Sequence, residues 1–295
     1  MKGAIKIKLI QRIFIIWAIA LGWTFIGQLV EFFLGFVSFT MPISDMYPMQ
    51  LLLLYSEGIG ILAMALHYRH KPDLLGFSGE HIGKNLVAGT VAGLLLFSLI
   101  WLIVTLLGGY HVTTVFHWHQ VFWLILFLFG YGVQATFEEI VCRGYIMGYW
   151  LKHNRLGLAF LTNALFFTVL HVANPGYDLY AMIGLFLFSI AMSALRLLTG
   201  SIWLGCAFHA IWNFAEGCIF GTSVSGLSST GLVFTSTNTT PAQLLTGGSF
   251  GVERSGIALI AYGLVSILLI ALSWPRITRA IDDRRSAAHS KYSYQ

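Results

Sequence analysis

Apolar residues run in stretches of about twenty along nearly the whole chain, separated by short polar breaks. A stretch of about 20 apolar residues is long enough to cross a bilayer core as an α-helix. Eight such helices are expected, over Ile13–Phe39, Met49–Tyr68, Leu86–Leu107, Val121–Ile140, Leu156–Val172, Leu179–Leu198, Ile202–Phe220 and Ile257–Trp274. The fifth is short, and the fourth is expected to run past the bilayer to about Trp150. The pattern predicts an all-α polytopic membrane protein, a bundle of about eight transmembrane helices. It reads as one membrane-embedded domain over residues 1–295, with core motifs at 134–220, an outer loop at 221–255 and a cytoplasmic tail at 275–295.

Composition sharpens this picture. The chain is 57% hydrophobic and 10% charged, against about 25% charged residues in soluble domains. Its net charge of +5 does not indicate nucleic acid, because the basic residues sit at helix ends. Lys2, Lys6, Lys8 and Arg12 precede an apolar run too long for a cleaved signal peptide, so the first helix is expected to remain. Cys142, Cys206 and Cys218 lie in or beside apolar helices and read as packing residues rather than a disulfide framework.

The distribution of Lys and Arg gives an orientation. The four N-terminal cations, Arg69, Lys71, Lys84, Arg143, Lys152, Arg155 and Arg196, and the C-terminal Arg276, Arg279, Arg284, Arg285 and Lys291 fall on one side; only Arg254 falls on the other. Eight helices with both termini in the cytoplasm fit this, in what reads as a bacterial plasma membrane protein. The segment Gly221–Ser255, rich in Ser, Thr and Gly, reads as an irregular outer cap.

A few strongly polar residues interrupt the apolar stretches, where such groups are costly and commonly functional. Glu138 and Glu139 are followed by Arg143, which shares a helix face with Glu139. That spacing predicts a Glu139–Arg143 ion pair, with Glu138 facing elsewhere as a free carboxylate able to act as a base. A structural ion-pair cluster at a helix end is the plainer alternative. His171 lies as far beyond the polar break His153-Asn154-Arg155 as Glu138 lies before it, so an antiparallel hairpin puts the two at one depth. His209 and Asn213, four apart, share a face and can donate to an oxyanion; helix–helix hydrogen bonding is the competing role. Glu216 is expected to support Asn213. Glu31 with Gln28, and Glu57, read as packing or gating groups, and His117 and His119 as interfacial residues.

In order along the chain, E-E-x-x-x-R (Glu138, Glu139, Arg143), F-x-x-x-H (Phe167, His171) and H-x-x-x-N (His209, Asn213) resemble the three motifs of the CAAX protease and bacteriocin-processing (CPBP, or Abi) family. The resemblance covers Gln134 to Phe220, and Gly-Gly-Ser-Phe-Gly-Val-Glu at 247–253 looks like a further family feature. It implies an eight-helix intramembrane endopeptidase acting on a membrane-associated peptide or protein. In that reading Glu138 and His171 activate water, His209 and Asn213 hold the oxyanion, and Glu139 and Arg143 orient the site. The family is often described as metalloproteases, so Glu138, His171 and His209 are candidate zinc ligands. No H-E-x-x-H occurs, and adjacent glutamates on a regular helix do not face one ion, so the residues lean toward a metal-free glutamate mechanism. Two other functions use the same residues: a proton-coupled membrane transporter, and a non-catalytic membrane immunity or scaffold protein.

Overall fold

The computed structural model describes residues 2–38, 47–77 and 81–292, with side chains for 8–34, 47–77 and 81–279. The side chains of Lys2, Lys6, Arg284, Arg285 and Lys291, and the expected helix end at Phe39, lie outside the described residues.

The chain begins with α1 (Lys2–Gly27), α2 (Leu29–Ser38), α3 (Tyr47–Ser56) and α4 (Gly58–His67). A short α5 (Pro72–Leu75) and the long α6 (Ile82–Leu106) follow, then strand β1 (Tyr110–Thr114). Next come α7 (Gln120–Glu139), a π-helical segment at Ile140–Ile146, α8 (Met147–Lys152), α9 (Leu156–Leu170) and α10 (Leu179–Thr199). The last part holds α11 (Trp203–Phe214), a π-helical turn at Ala215–Ile219, β2 (Phe234–Asn238), α12 (Gln243–Thr246), a 3₁₀ turn at Val252–Arg254 and α13 (Gly256–Tyr292).

The all-α polytopic architecture is as the apolar pattern predicts. Among the described residues six helical segments are long and apolar enough to cross a membrane: Lys8–Gly27, Tyr47–His67, Ile82–Leu106, Gln120–Lys152, Leu179–Thr199 and Gly256–Arg279. The expected fifth and seventh helices are the shorter ones. The 15 residues of α9 span about 22 Å at 1.5 Å per residue, less than a bilayer core of about 30 Å. The first two stretches also differ from a simple reading. Each carries one turn residue, Gln28 and Glu57, through which the helical hydrogen bonds continue.

The site is positioned by two hairpins. The first joins the continuous run Gln120–Lys152 to α9 through His153-Asn154-Arg155, with Asn154 in the left-handed region at φ +54°. Asn tolerates that region better than most residues. The second joins α10 to α11, ending α10 at Gly200, φ +75°. α11 lies tightly against α6 because Gly89 and Gly93, one turn apart, present no side chain there. A Cβ at Gly89 would meet the Leu204 carbonyl, and one at Gly93 would come within 2.7 Å of the Phe208 carbonyl. Small residues spaced this way let membrane helices approach backbone to backbone.

The long loop after α11 is not irregular throughout. Its β2 pairs antiparallel with β1, Tyr110 opposite Asn238 and Thr114 opposite Phe234. Period-2 alternation is weak in Phe-Thr-Ser-Thr-Asn, which hides the strand in the sequence. The three cysteines are buried and unbridged.

Candidate active site

Glu138 and Glu139 close α7, immediately before the helix widens into its π-helical segment. A second π-helical turn begins two residues after Asn213. Such turns recur at functional positions, where they re-aim side chains that a regular helix would space evenly.

Arg143 and Glu139 form the ion pair that their spacing predicts. Nη1 donates to Glu139 Oε1 at 2.8 Å, with both side chains almost wholly buried. The guanidinium carbon also lies 4.6 Å from the centre of the Phe167 ring. Arg143 is therefore part of the interior and does not act as an orienting surface charge. Arg196, also counted among the cytoplasmic cations, is buried too and donates to the Gly200 carbonyl at the end of its own helix. The remaining basic residues carry the orientation signal.

Glu138 differs from the free carboxylate expected. Its Oε1 accepts from Gln134 Nε2 at 2.6 Å, and its Oε2 lies 3.6 Å from His209 Nε2. The other imidazole nitrogen, His209 Nδ1, is 3.1 Å from Glu139 Oε1. The two adjacent glutamates thus face opposite edges of one imidazole, and both point toward α11. Because a carboxylate only accepts, Nδ1 carries the proton in the bond to Glu139. Glu138 Oε2 has no hydrogen-bond partner within the protein.

His171 follows the last residue of α9. Its Nδ1 is 2.8 Å from the Phe167 carbonyl, four residues earlier. A carbonyl also only accepts, so Nδ1 is the donor, and the neutral ring keeps its lone pair on Nε2. Phe167 packs beside the ring, with centroids 4.8 Å apart. The F-x-x-x-H spacing therefore has two uses: one residue supplies a carbonyl and an aromatic wall for the histidine, and the same ring lies under Arg143.

Asn213 donates from Nδ2 to Gln134 Oε1 at 3.1 Å. Gln134 then donates to Glu138, so a side-chain relay runs from Asn213 through Gln134 to Glu138. Asn213 retains a second amide N–H for a ligand. Gln134 lies one helical turn before Glu138, a spacing that could have marked it. The expected support from Glu216 is absent. That carboxylate is fully buried toward Gly251, whose Cβ position is 3.1 Å from Glu216 Oε1.

Glu138, His171, His209 and Asn213 line one cavity of about 380 Å³. Aromatic and aliphatic walls come from α7, α9 and α10, including Tyr131, Phe137 and Phe188. The segments after α11 close it. Ser225 and Glu253 both reach the cavity, and Ser225 Oγ donates to Glu253 Oε2 at 2.6 Å. Burial pushes the Glu253 carboxyl up, while Ser225, His171 and His209 oppose that shift. Ser225 is held in the left-handed region, φ +46°, by Asn174, whose amide donates to the Ser225 carbonyl at 2.7 Å. Gly251, φ +111°, runs so close to Ser223 that a Cβ would strike its carbonyl. This explains the glycine inside the 247–253 stretch. Glu253 and Ser225 lie in a loop whose path no local pattern reveals.

The candidate zinc ligands Glu138, His171 and His209 line the same cavity. No group of three or more His, Cys, Asp or Glu side chains among the described residues is arranged to hold an ion. His171 and His209 each commit Nδ1 to a protein acceptor, which leaves Nε2 of each ring for a ligand. His117 and His119 are exposed, with rings stacked 5.6 Å apart.

No curated protein and no solved structure matches this chain. Residues 118–215, which hold all seven named side chains of the three motifs, match the family model described as Type II CAAX prenyl endopeptidase Rce1-like.

Proposed function

We propose that this protein is an intramembrane endopeptidase that hydrolyses a peptide bond of a membrane-associated peptide or protein. The observation that carries this reading is the convergence of Glu138, His171, His209 and Asn213 on one largely buried cavity. A water held between Glu138 Oε2 and His171 Nε2 loses a proton to Glu138 as its oxygen attacks the scissile carbonyl. The new oxyanion takes a hydrogen bond from the second N–H of Asn213 and, when its ring carries both protons, from His209 Nε2. Collapse of the tetrahedral intermediate breaks the C–N bond, and the proton taken by Glu138 passes to the leaving amine. Glu139 fixes the His209 ring, and Arg143 balances the charge of Glu139. Gln134 positions both Asn213 and Glu138.

No step in this scheme requires a metal. A proton-coupled carrier would use the same acids and histidines, but it does not account for an amide aimed beside the carboxylate–imidazole pair. In membranes carrying Glu138→Gln, uncleaved membrane-associated peptides should accumulate relative to the wild type. An unchanged peptide inventory, with the variant inserted at wild-type levels, contradicts the reading.

A further inference from the structure

The cavity has further polar residues that the reaction above leaves unused. Thr24, Gln28, Glu31, Gln50 and Glu57, contributed by α1 to α4 and their junctions, line the same space as Glu138. Glu57 is 5% exposed. Gln28 Nε2 donates to its Oε1 at 3.4 Å, while its Oε2 has no hydrogen-bond partner. A buried carboxylate oxygen without a donor is costly. Glu57 lines the cavity, so a donor from a ligand there accounts for that oxygen.

Charge and architecture point the same way. Among the described lining residues there are four glutamates (Glu31, Glu57, Glu138, Glu253) and two histidines, and none is Lys or Arg. Gln28 and Glu57 stand at the two turn residues within the first pair of membrane stretches. Around both sets of polar groups much of the wall is apolar, with Leu54, Phe137 and Phe188 among its residues. The space therefore fits an occupant that joins a positive charge to apolar side chains. The described acids do not form a metal-ligand group, which favours an organic cation.

We propose that Glu57, with Gln28 and Glu31 beside it, forms a specificity subsite for a cationic group of the substrate, a lysine or arginine side chain, while the substrate backbone lies at Glu138. This rests on the endopeptidase reading. The subsite selects apolar peptides that carry a basic residue near the cleaved bond, and Glu57 is a binding residue outside the chemical step.

The test uses the full-length protein and three pools of short apolar peptides. One pool is acetylated at the amino terminus, with a single lysine at every position in turn. The second has citrulline in place of lysine. The third lacks lysine and has a free amino terminus. Competitive cleavage, followed by mass spectrometry, should consume lysine peptides about ten- to a hundredfold faster than citrulline peptides, the range for a hydrogen bond to a charged group. Retention on the immobilised Glu138→Gln protein should show the same preference without cleavage. Adding Glu57→Gln should abolish the preference and leave citrulline peptides bound as before. Glu31→Gln, a milder change, should reduce it. Equal treatment of the first two pools in cleavage and retention overturns the subsite, whether or not the Glu57 variant folds. So does a lysine preference that survives Glu57→Gln, or a preference for the third pool over both others. A lysine preference in retention by a protein that cleaves no pool leaves the subsite standing and removes the endopeptidase reading.

Discussion

Glu138 and Glu139 are neighbours with different duties, and their environments separate them. Glu139 is tied to Arg143 at 2.8 Å and to His209 at 3.1 Å, with 1% of its side chain exposed. Glu138 lines the cavity and keeps one oxygen without a hydrogen-bond partner. Neutralising Glu139 leaves Arg143 as an uncompensated buried charge, which typically costs about 3–5 kcal/mol. Glu139→Gln should therefore lower the unfolding midpoint of the purified protein markedly, whereas Glu138→Gln should leave it near that of the wild type. Equal midpoints for the two variants would contradict this division. Much of this residue-level picture is legible in the sequence, because charged and amide side chains within apolar stretches have few bland roles. The i,i+4 spacings give the Glu139–Arg143 pair and the shared face of His209 and Asn213. What escapes is the contact between elements distant in sequence. The pattern does not show that Glu138 and Glu139 flank one imidazole, or that Glu57 shares their cavity.

At the scale of elements, α10 has a sharply defined start. Asp178 accepts from the backbone N–H groups of Tyr180 and Ala181 at 3.0 and 3.1 Å, and pairs with Arg254 through Nε at 2.9 Å. This bond ties the helix carrying Phe188 to the 3₁₀ turn carrying Glu253. Burial acts to raise the Asp178 carboxyl, but Arg254 and the two backbone donors outweigh it and hold it below its ordinary value of 3.8. Its contribution to stability is present above that value and is lost as pH falls through the depressed folded value. Asp178→Ala should cost at least the about 0.5–2 kcal/mol of a lost N-cap. It should also loosen the 247–254 segment, seen as faster proteolysis there. An unchanged unfolding midpoint and an unchanged cleavage pattern would show that the cap and clamp are unimportant. Arg254 stood out in the sequence as the sole cation on its side, yet its partner lies 76 residues away. The π-helical segments are likewise invisible to periodicity, because one wide turn shifts the hydrophobic phase too little to detect.

For the whole molecule, the apolar stretches specify a polytopic helical bundle, while the two short helices, α9 and α11, leave room that the loops fill. The remaining one-sided cations, among them Lys8, Arg12, Arg69, Lys71, Lys84, Lys152, Arg155, Arg276 and Arg279, favour both termini in the cytoplasm. Reporter fusions should accordingly place Gln295 inside and the 228–240 loop outside; the reverse for Gln295 would rule out an even number of crossings from a cytoplasmic start. The account turns on Glu138 as the base of a peptide hydrolysis that its own side chains suffice to run. The most direct measurement is the rate at which purified, reconstituted protein cleaves a membrane-associated peptide, compared between wild type and Glu138→Gln before and after exhaustive chelation. The account predicts a loss of about 10²–10⁴-fold in the variant and a wild-type rate that survives chelation. A variant that cleaves at the wild-type rate, or a wild-type activity abolished by chelation and restored by stoichiometric zinc, would contradict it.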